Sequence, residues 1–409
     1  MKRSLLLLFF VSIAFAGKGS IYSRYGIGDI NPFLSGKNVG MGNTGIAMFG
    51  ETHVNVLNPA SSANITSTIL SASYQYSNFT SEDASGSSVF GTGNISSVAL
   101  AFPVYAPKKI VVTLGILPFS KVAYEQTVAQ TVSGNQLLQT FDGRGGVSSG
   151  QLSVSYAVDP DLILGLTTHY LFGSIYRDQS ITFLTGDYYG GSFNQTYSVS
   201  GLGFTLGGIY SGIDKFLGLS DTKQLNVGAT LFSGSSMNYS EQTLRNFSTD
   251  QDTVSVDNKT IDLPFGFSFG LAYLKNRTVY AYDVHFQNWD NFKVNGIHPS
   301  EIQNSIRLSA GVEFLPSSDF MGDDFFKRLS YRFGGYYRMT NLKMNGKSID
   351  EMFASAGISL PMSIETRVHL GLEYGIRGTT SASLIKDSML RFTVSVSASE
   401  LMFIQPPIE

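Results

Sequence analysis

The chain has 409 residues, no cysteine, only 14% charged residues and a formal net charge of −3, with 43 glycines, 30 phenylalanines and 21 tyrosines. The missing cysteines argue against a disulfide-stapled extracellular domain, and the near-neutral balance gives no electrostatic case for nucleic acid. Glycine and aromatic richness at low charge suits a close-packed β-barrel with aromatic girdles, and a large secreted β-protein shares that composition.

At the N-terminus, Lys2 and Arg3 precede the apolar run Leu5 to Val11, and Ala14-Phe15-Ala16 supplies a small-x-small cleavage site. Residues 1–16 therefore read as a secretory signal peptide, with no cysteine after the cut to carry a lipid anchor. No later stretch approaches the roughly 20 apolar residues of a spanning helix, so a membrane form has to be a barrel. Residues 17–67 are too apolar for a free tail and fit neither strand nor linker. Within them Gly40, Gly42 and Gly45 match G-x-G-x-x-G, but no buried strand precedes them and no βαβ pattern follows, which removes a dinucleotide site. The glycines instead suit tight turns or packing against a wall.

From residue 68 to 400 the chain alternates apolar with small or polar residues, and a period of two means strands. In chain order the pattern predicts fourteen, near 68–79, 94–103, 109–118, 149–158, 161–173, 196–210, 223–233, 262–274, 277–288, 304–315, 327–340, 351–360, 364–377 and 388–399. Short turns such as Asp159-Pro160 alternate with long polar segments near 80–93, 119–148, 174–195, 234–261 and 289–303, which read as loops. An even count with that rhythm predicts an all-β, transmembrane antiparallel barrel rather than a Greek-key sandwich. The segments 211–222 and 316–326 are long for the short-turn side and suit short helices. Residues 401–409 read as a short periplasmic tail.

Strand phase puts Ile110, Val112, Leu114 and Ile116, and Ile306, Leu308, Val312 and Phe314, on a lipid face. Tyrosines and phenylalanines near strand ends, such as Tyr76, Tyr170, Phe172 and Tyr374, suit the membrane interfaces. The opposite phase places Asp283, His285, Arg307, Glu313, Arg332, Arg338, Glu365, Arg367, His369, Glu373, Arg377 and Arg391 in the lumen, where mixed signs can pair. Arg307, Arg332, Arg338, Arg367 and Arg377 are candidate ligand contacts, because a guanidinium grips a carboxylate in bidentate fashion. In the strand at 109–118, Gly115 and Pro118 weaken the ladder and are candidates for a lateral gap, although Pro118 also suits a plain strand end.

Little points to catalysis: there is no H-E-x-x-H, and none of the five histidines stands at metal-ligand spacing to another. Asp283 and His285 share a strand face as a candidate dyad, for which a satisfied lumen pair is the simpler account. No metal or organic cofactor is indicated.

The stretch Gly40-Met41-Gly42-Asn43-Thr44-Gly45-Ile46-Ala47, followed about a dozen residues later by Asn58-Pro59-Ala60, resembles the N-terminal signature of the FadL-type outer-membrane transport family. Tyr22-Ser23-Arg24-Tyr25-Gly26-Ile27-Gly28-Asp29 is similar to the start of relatives from Bacteroidetes-like bacteria. The likeness is sharp over about residues 20–65 and architectural beyond.

That resemblance implies a fourteen-stranded barrel in a Gram-negative outer membrane, plugged by an N-terminal hatch that contains Gly40, Gly42, Gly45, Asn58, Pro59 and Ala60. It further implies passive uptake of hydrophobic small molecules, bound in the lumen and released sideways through a gap beside a kinked strand. Fatty acids fit lumen arginines, and aromatic hydrocarbons fit nearly as well. The alternative is a non-transporting barrel that serves a secretion system or another assembly by binding partner proteins at the periplasmic or outer face.

Overall fold

The structure, a computed structural model, describes residues 19–30, 35–84, 86–185, 188–216, 218, 224–247, 250–317, 324–363 and 366–400. The expected signal peptide, the 401–409 tail and Glu365 lie outside the described residues.

Alternation of period two becomes a closed ring of fourteen antiparallel wall strands. They are β1 (Thr68–Glu82), β2 (Ser87–Tyr105), β3 (Ile110–Val132), β4 (Asn135–Ala157), β5 (Leu162–Phe183), β6 (Gly191–Tyr210), β7 (Leu225–Phe232 continuing as Ser235–Phe247), β8 (Asp250–Leu263 continuing as Gly266–Lys275), β9 (Thr278–Gln287), β10 (Ser305–Phe314), β11 (Ser330–Met344), β12 (Lys347–Pro361), β13 (Thr366–Gly378) and β14 (Lys386–Glu400). β14 pairs with β1 and closes the ring. Closure matters physically because it leaves no full-length sheet edge to find another partner. Kinks at Ser233-Gly234 and Pro264-Phe265 divide β7 and β8, where Pro264 has no N–H to donate to the ladder.

At the base, where β1 begins, the strands end where alternation places their ends. At the opposite end, the rim, four of the five expected loops are largely strand, among them 80–93, where 80–82 continue β1 and 87–93 begin β2. Residues 119–148 form one continuous hairpin of β3 and β4, closed by Ser133 and Gly134 at φ 51° and 82°, the mirror-image turn that matches strand twist. Residues 174–183 and 191–195 likewise continue β5 and β6, and 235–247 and 250–261 belong to β7 and β8. β3 and β4 are 23 residues each, against about 9–11 for a membrane-spanning strand, so their rim halves stand clear of the apolar band. Residues 289–303 remain largely irregular, and the long base turns carry the helical turns Ile213–Phe216 and Phe325–Arg328.

Outward positions match the phase of the sequence: Leu114, Ile116, Ile306, Leu308 and Phe314 are exposed, with Tyr76, Tyr156, Tyr170, Phe172, Tyr210 and Tyr374 on the same side. Inward, the N-terminal residues wind along the wall. The helical turn Gly36–Gly40 packs on β12 and β13, Met41 and Gly42 lie on β10 and β11, Ile46 and Ala47 on β7 and β8, and Asn58 to Ala60 on β5 and β6. A segment that touches so many strands of a closed ring runs inside it. Nearer the rim, the strap Ser20–Ile30 joins Val122, Tyr124, Leu171, Met237, Trp289 and Phe292 in one apolar cluster through Tyr22 and Ile27.

Candidate functional site

Four directly opposed glycine pairs in the wall seat this coil: Gly165 with Gly207, Gly228 with Gly270, Gly311 with Gly334, and Gly357 with Gly371. A Cβ on any of the eight would come within 2.9 Å of atoms of residues 36–60, so the absence of side chains lets backbone meet backbone. On the coil side, Gly42 has φ +67° and leaves no room for a Cβ against β11. Gly45 and Ile46 donate their amides to Asp283 Oδ2 at 2.7 and 3.1 Å. Gly40 rests on Gly357.

Asn58 caps the 3₁₀ turn Pro59–Asn64, accepting from Ala60 N at 3.0 Å, and its Nδ2 donates to Ile46 O at 2.7 Å and to Gly208 O on β6 at 3.1 Å. Pro59 and Ala60 face Gly165. The Asn-Pro-Ala trio thus joins two turns of the coil to the wall.

Most predicted lumen cations are committed to protein carboxylates. Arg332 donates through Nε and Nη2 to Glu313 Oε1 at 2.9 and 2.6 Å and through Nη1 to Ser359, while Lys37 reaches Glu313 Oε2 at 3.5 Å. Arg338 pairs with Glu351 at 3.2 Å, and Arg391 lies over the Phe353 ring and 3.9 Å from Glu373. Arg377 holds Asp29 and approaches Asp387 at 3.5 Å. Arg367 is half-buried near the base and does not line the lumen cavity. Asp283 and His285 do not act on each other: His285 Nδ1 partners Ser268 Oγ at 2.7 Å. Burial pushes the Lys37 ammonium below its usual range, against the pull of Glu313, and holds His53 of the coil well below the ordinary imidazole value, hence neutral.

Arg307 is different. It is 7% exposed, its Nε has no partner, and no ion pair reaches it among the described residues. It lines a lumen cavity of about 250 Å³ together with Arg338, His285, Gln287 and Ser268 on one side and Ile46, Leu57, Leu117, Phe119 and Phe232 on the other. A buried guanidinium that forms no ion pair, beside an apolar pocket, is arranged to receive an anionic group attached to an oily body.

The cavity ends at an irregularity in the wall. β2 and β3 pair only as far as Val98 and Ile116; beyond that, Ser87–Ser97 have β1 as their one ladder partner, and on its free side β3 has Asp29 and Ile30 of the strap as its ladder partners. Pro118 stands just past the last pair, at a register shift between Pro118 and Ser120, whereas Gly115 remains inside the ladder opposite Ala99 and Gln151. Outside, at the foot of this seam, Val98, Leu100, Leu114, Ile116, Leu152 and Tyr170 line an apolar hollow of about 560 Å³. Gln151 borders both spaces.

Sequence reasoning left out Asp29 and Lys37, which pair with Arg377 and Glu313, and Glu351 and Asp387, which pair with Arg338 and Arg377. An acid and a lysine within a glycine-rich apolar segment were the available signal for the first two.

The family model described as BamG matches residues 2–408. The chain belongs to the BamG family. Among solved structures, this BamG-family chain is similar to the toluene transporter TodX of P. putida, at 15% identity and a TM-score of 0.59, covering 90% of this chain and 98% of that one. It is similar to the toluene transporter TbuX of Ralstonia pickettii, at 12% identity and a TM-score of 0.60 over the same shares, and to a FadL homologue of Pseudomonas aeruginosa, at 12% and 0.61 over 90% and 98%. At these identities the likeness establishes the FadL-type barrel fold for the BamG-family chain. No curated protein matches it.

Proposed function

We propose that this protein is a passive channel in the outer membrane of a Gram-negative, Bacteroidetes-like bacterium, taking up amphiphilic hydrophobic solutes such as long-chain fatty acids. The carrying observation is the amphipathic cavity, with Arg307, which forms no ion pair among the described residues, at one side and the unpaired β2–β3 seam at its edge. Residues 35–65 act as the hatch: their seating on the wall glycines supports a plug that stays in place and blocks a straight path to the base. The apolar rim cluster closes the other end. A solute then leaves sideways past Pro118 into the outer hollow, where its chain meets lipid. Gln151 stands between the two spaces.

A second reading, a non-transporting accessory barrel that binds partner proteins, draws support from how far coil and strap fill the lumen, with about 250 Å³ in the cavity that Arg307 lines. One experiment separates the two. The mature protein is purified from outer membranes in mild detergent, and bound hydrophobic molecules are identified by mass spectrometry before and after competition with labelled long-chain fatty acid. Saturable displacement supports the channel. A folded barrel that retains and binds nothing favours the accessory role.

A further inference from the structure

The seam between β2 and β3 lacks backbone pairing above Val98 and Ile116, yet it is not open. Lys121 of β3 reaches across it: Nζ donates to Thr92 Oγ1 at 2.7 Å and to Asn94 Oδ1 at 3.1 Å, both on β2. These are side-chain bonds where a barrel ordinarily has a ladder. The strap reinforces the same point, since Asp29 pairs with Lys121 and Ile30 with Ser120. A Cβ on Gly28, whose φ is +101°, would stand 2.6 Å from the Lys121 carbonyl oxygen, so strap and latch are pressed together.

The chemistry of the clasp is unusual in one respect. A half-buried ammonium is held by two neutral oxygens and forms no ion pair among the described residues, the Asp29 carboxylate attracting it without bonding to it, although every committed arginine of the lumen has a carboxylate. A carboxylate adds the attraction of opposite charges to the hydrogen bond that an ammonium makes with a neutral oxygen. An anionic headgroup brought to the seam therefore outcompetes Thr92 and Asn94 for Lys121. Its tail has a place to go, because the apolar hollow lies at the foot of the same seam.

We infer that Lys121 is an anion-reading latch: the acidic headgroup of a single-chain amphiphile takes over the Lys121 ammonium, detaches β3 from Thr92 and Asn94, and so loosens the seam through which that amphiphile leaves. The inference rests on the channel reading above and adds what selects the cargo. Uncharged oily molecules meet a closed clasp, whereas carboxylate-bearing ones undo it.

The test reconstitutes the full mature protein in phosphatidylcholine vesicles and follows release of two probes of equal length, laurate and dodecanol. The wild type is expected to release laurate about tenfold faster, the scale of one hydrogen bond to a charged group. Lys121→Met is expected to raise the dodecanol rate to that of laurate, because the clasp is gone for both, and Lys121→Arg to restore the preference. A Lys121→Met protein whose laurate-to-dodecanol ratio equals the wild-type ratio overturns the latch while leaving the channel standing. A wild type that releases neither probe faster than protein-free vesicles do overturns the channel reading itself.

Discussion

One nitrogen of Arg377, Nη1, donates to both carboxylate oxygens of Asp29, at 2.6 and 2.7 Å, and so joins a strand near its rim end to the strap that crosses the lumen. Burial by itself raises the Asp29 pKa, but Arg377, with Arg338 and Arg391 behind it, overrides that effect and leaves the carboxyl below its ordinary 3.8. A depressed carboxyl contributes stability that is fully present above its unfolded value and is lost as pH falls through the folded one. The single tryptophan, Trp289, shares the strap's apolar cluster and reports on it. Its emission is expected to hold constant from pH 8 to about 4 and to shift to the red only below that. Asp29→Asn should bring the red shift to neutral pH; an unchanged spectrum would remove the anchor role of the pair.

The opposed wall glycines predict a sharp contrast between two substitutions. Gly228→Val places carbon into the Ile46 carbonyl group, with a Cβ 2.7 Å from its carbon, and should lower stability by about 3 kcal/mol or more. Gly150→Ala faces outward with its nearest neighbours at 3.8 Å and should change stability by less than about 0.5 kcal/mol. Urea midpoints of the detergent-folded protein measure both.

Arg332 and Glu313 are each 2% exposed, and removing one leaves the other buried without its partner. Glu313→Gln is expected to cost about 3–5 kcal/mol, and Arg332→Met a similar amount. The double replacement Arg332→Met with Glu313→Leu should cost clearly less than the sum of the singles, with Lys37 as the residual penalty, since it too relies on Glu313. A strictly additive double mutant would show that the pair is not coupled.

Arg307 should behave in the opposite way to Arg377. It forms no ion pair among the described residues, so Arg307→Met is expected to leave the unfolding midpoint unchanged or raised while retention of a carboxylate amphiphile falls about tenfold. Isothermal titration with laurate, beside a melting curve, checks both halves. Loss of stability without loss of binding would remove Arg307 from the ligand site.

The base of the barrel was legible because one physical rule governs it. Where a wall faces an apolar surrounding, every second residue has to be apolar, so Leu114, Ile116, Leu308 and Phe314 announce both strand and phase. At the rim that demand ends. In 119–132 and 135–148 the outward positions are free to be Gln, Thr or Ser, the alternation fades, and two paired strands look like a polar loop.

The candidate site was legible only as a list of charges. Local pattern places Arg307, Arg332 and Arg377 on the same face and cannot say which are neutralised, because their partners Glu313, Asp29 and Asp387 come from another strand, from the strap, and from a position one residue outside the predicted last strand. By itself, then, the chain determined strand number, phase and the Asn-Pro-Ala turn, all of which are set by neighbours within a few residues. Only the closed ring decided that Arg307 is the unpaired arginine of the cavity, that eight glycines receive the coil, and that β2 and β3 part above Val98 and Ile116. Those facts depend on register between segments distant in sequence, and register is fixed when the whole wall closes around its N-terminal coil.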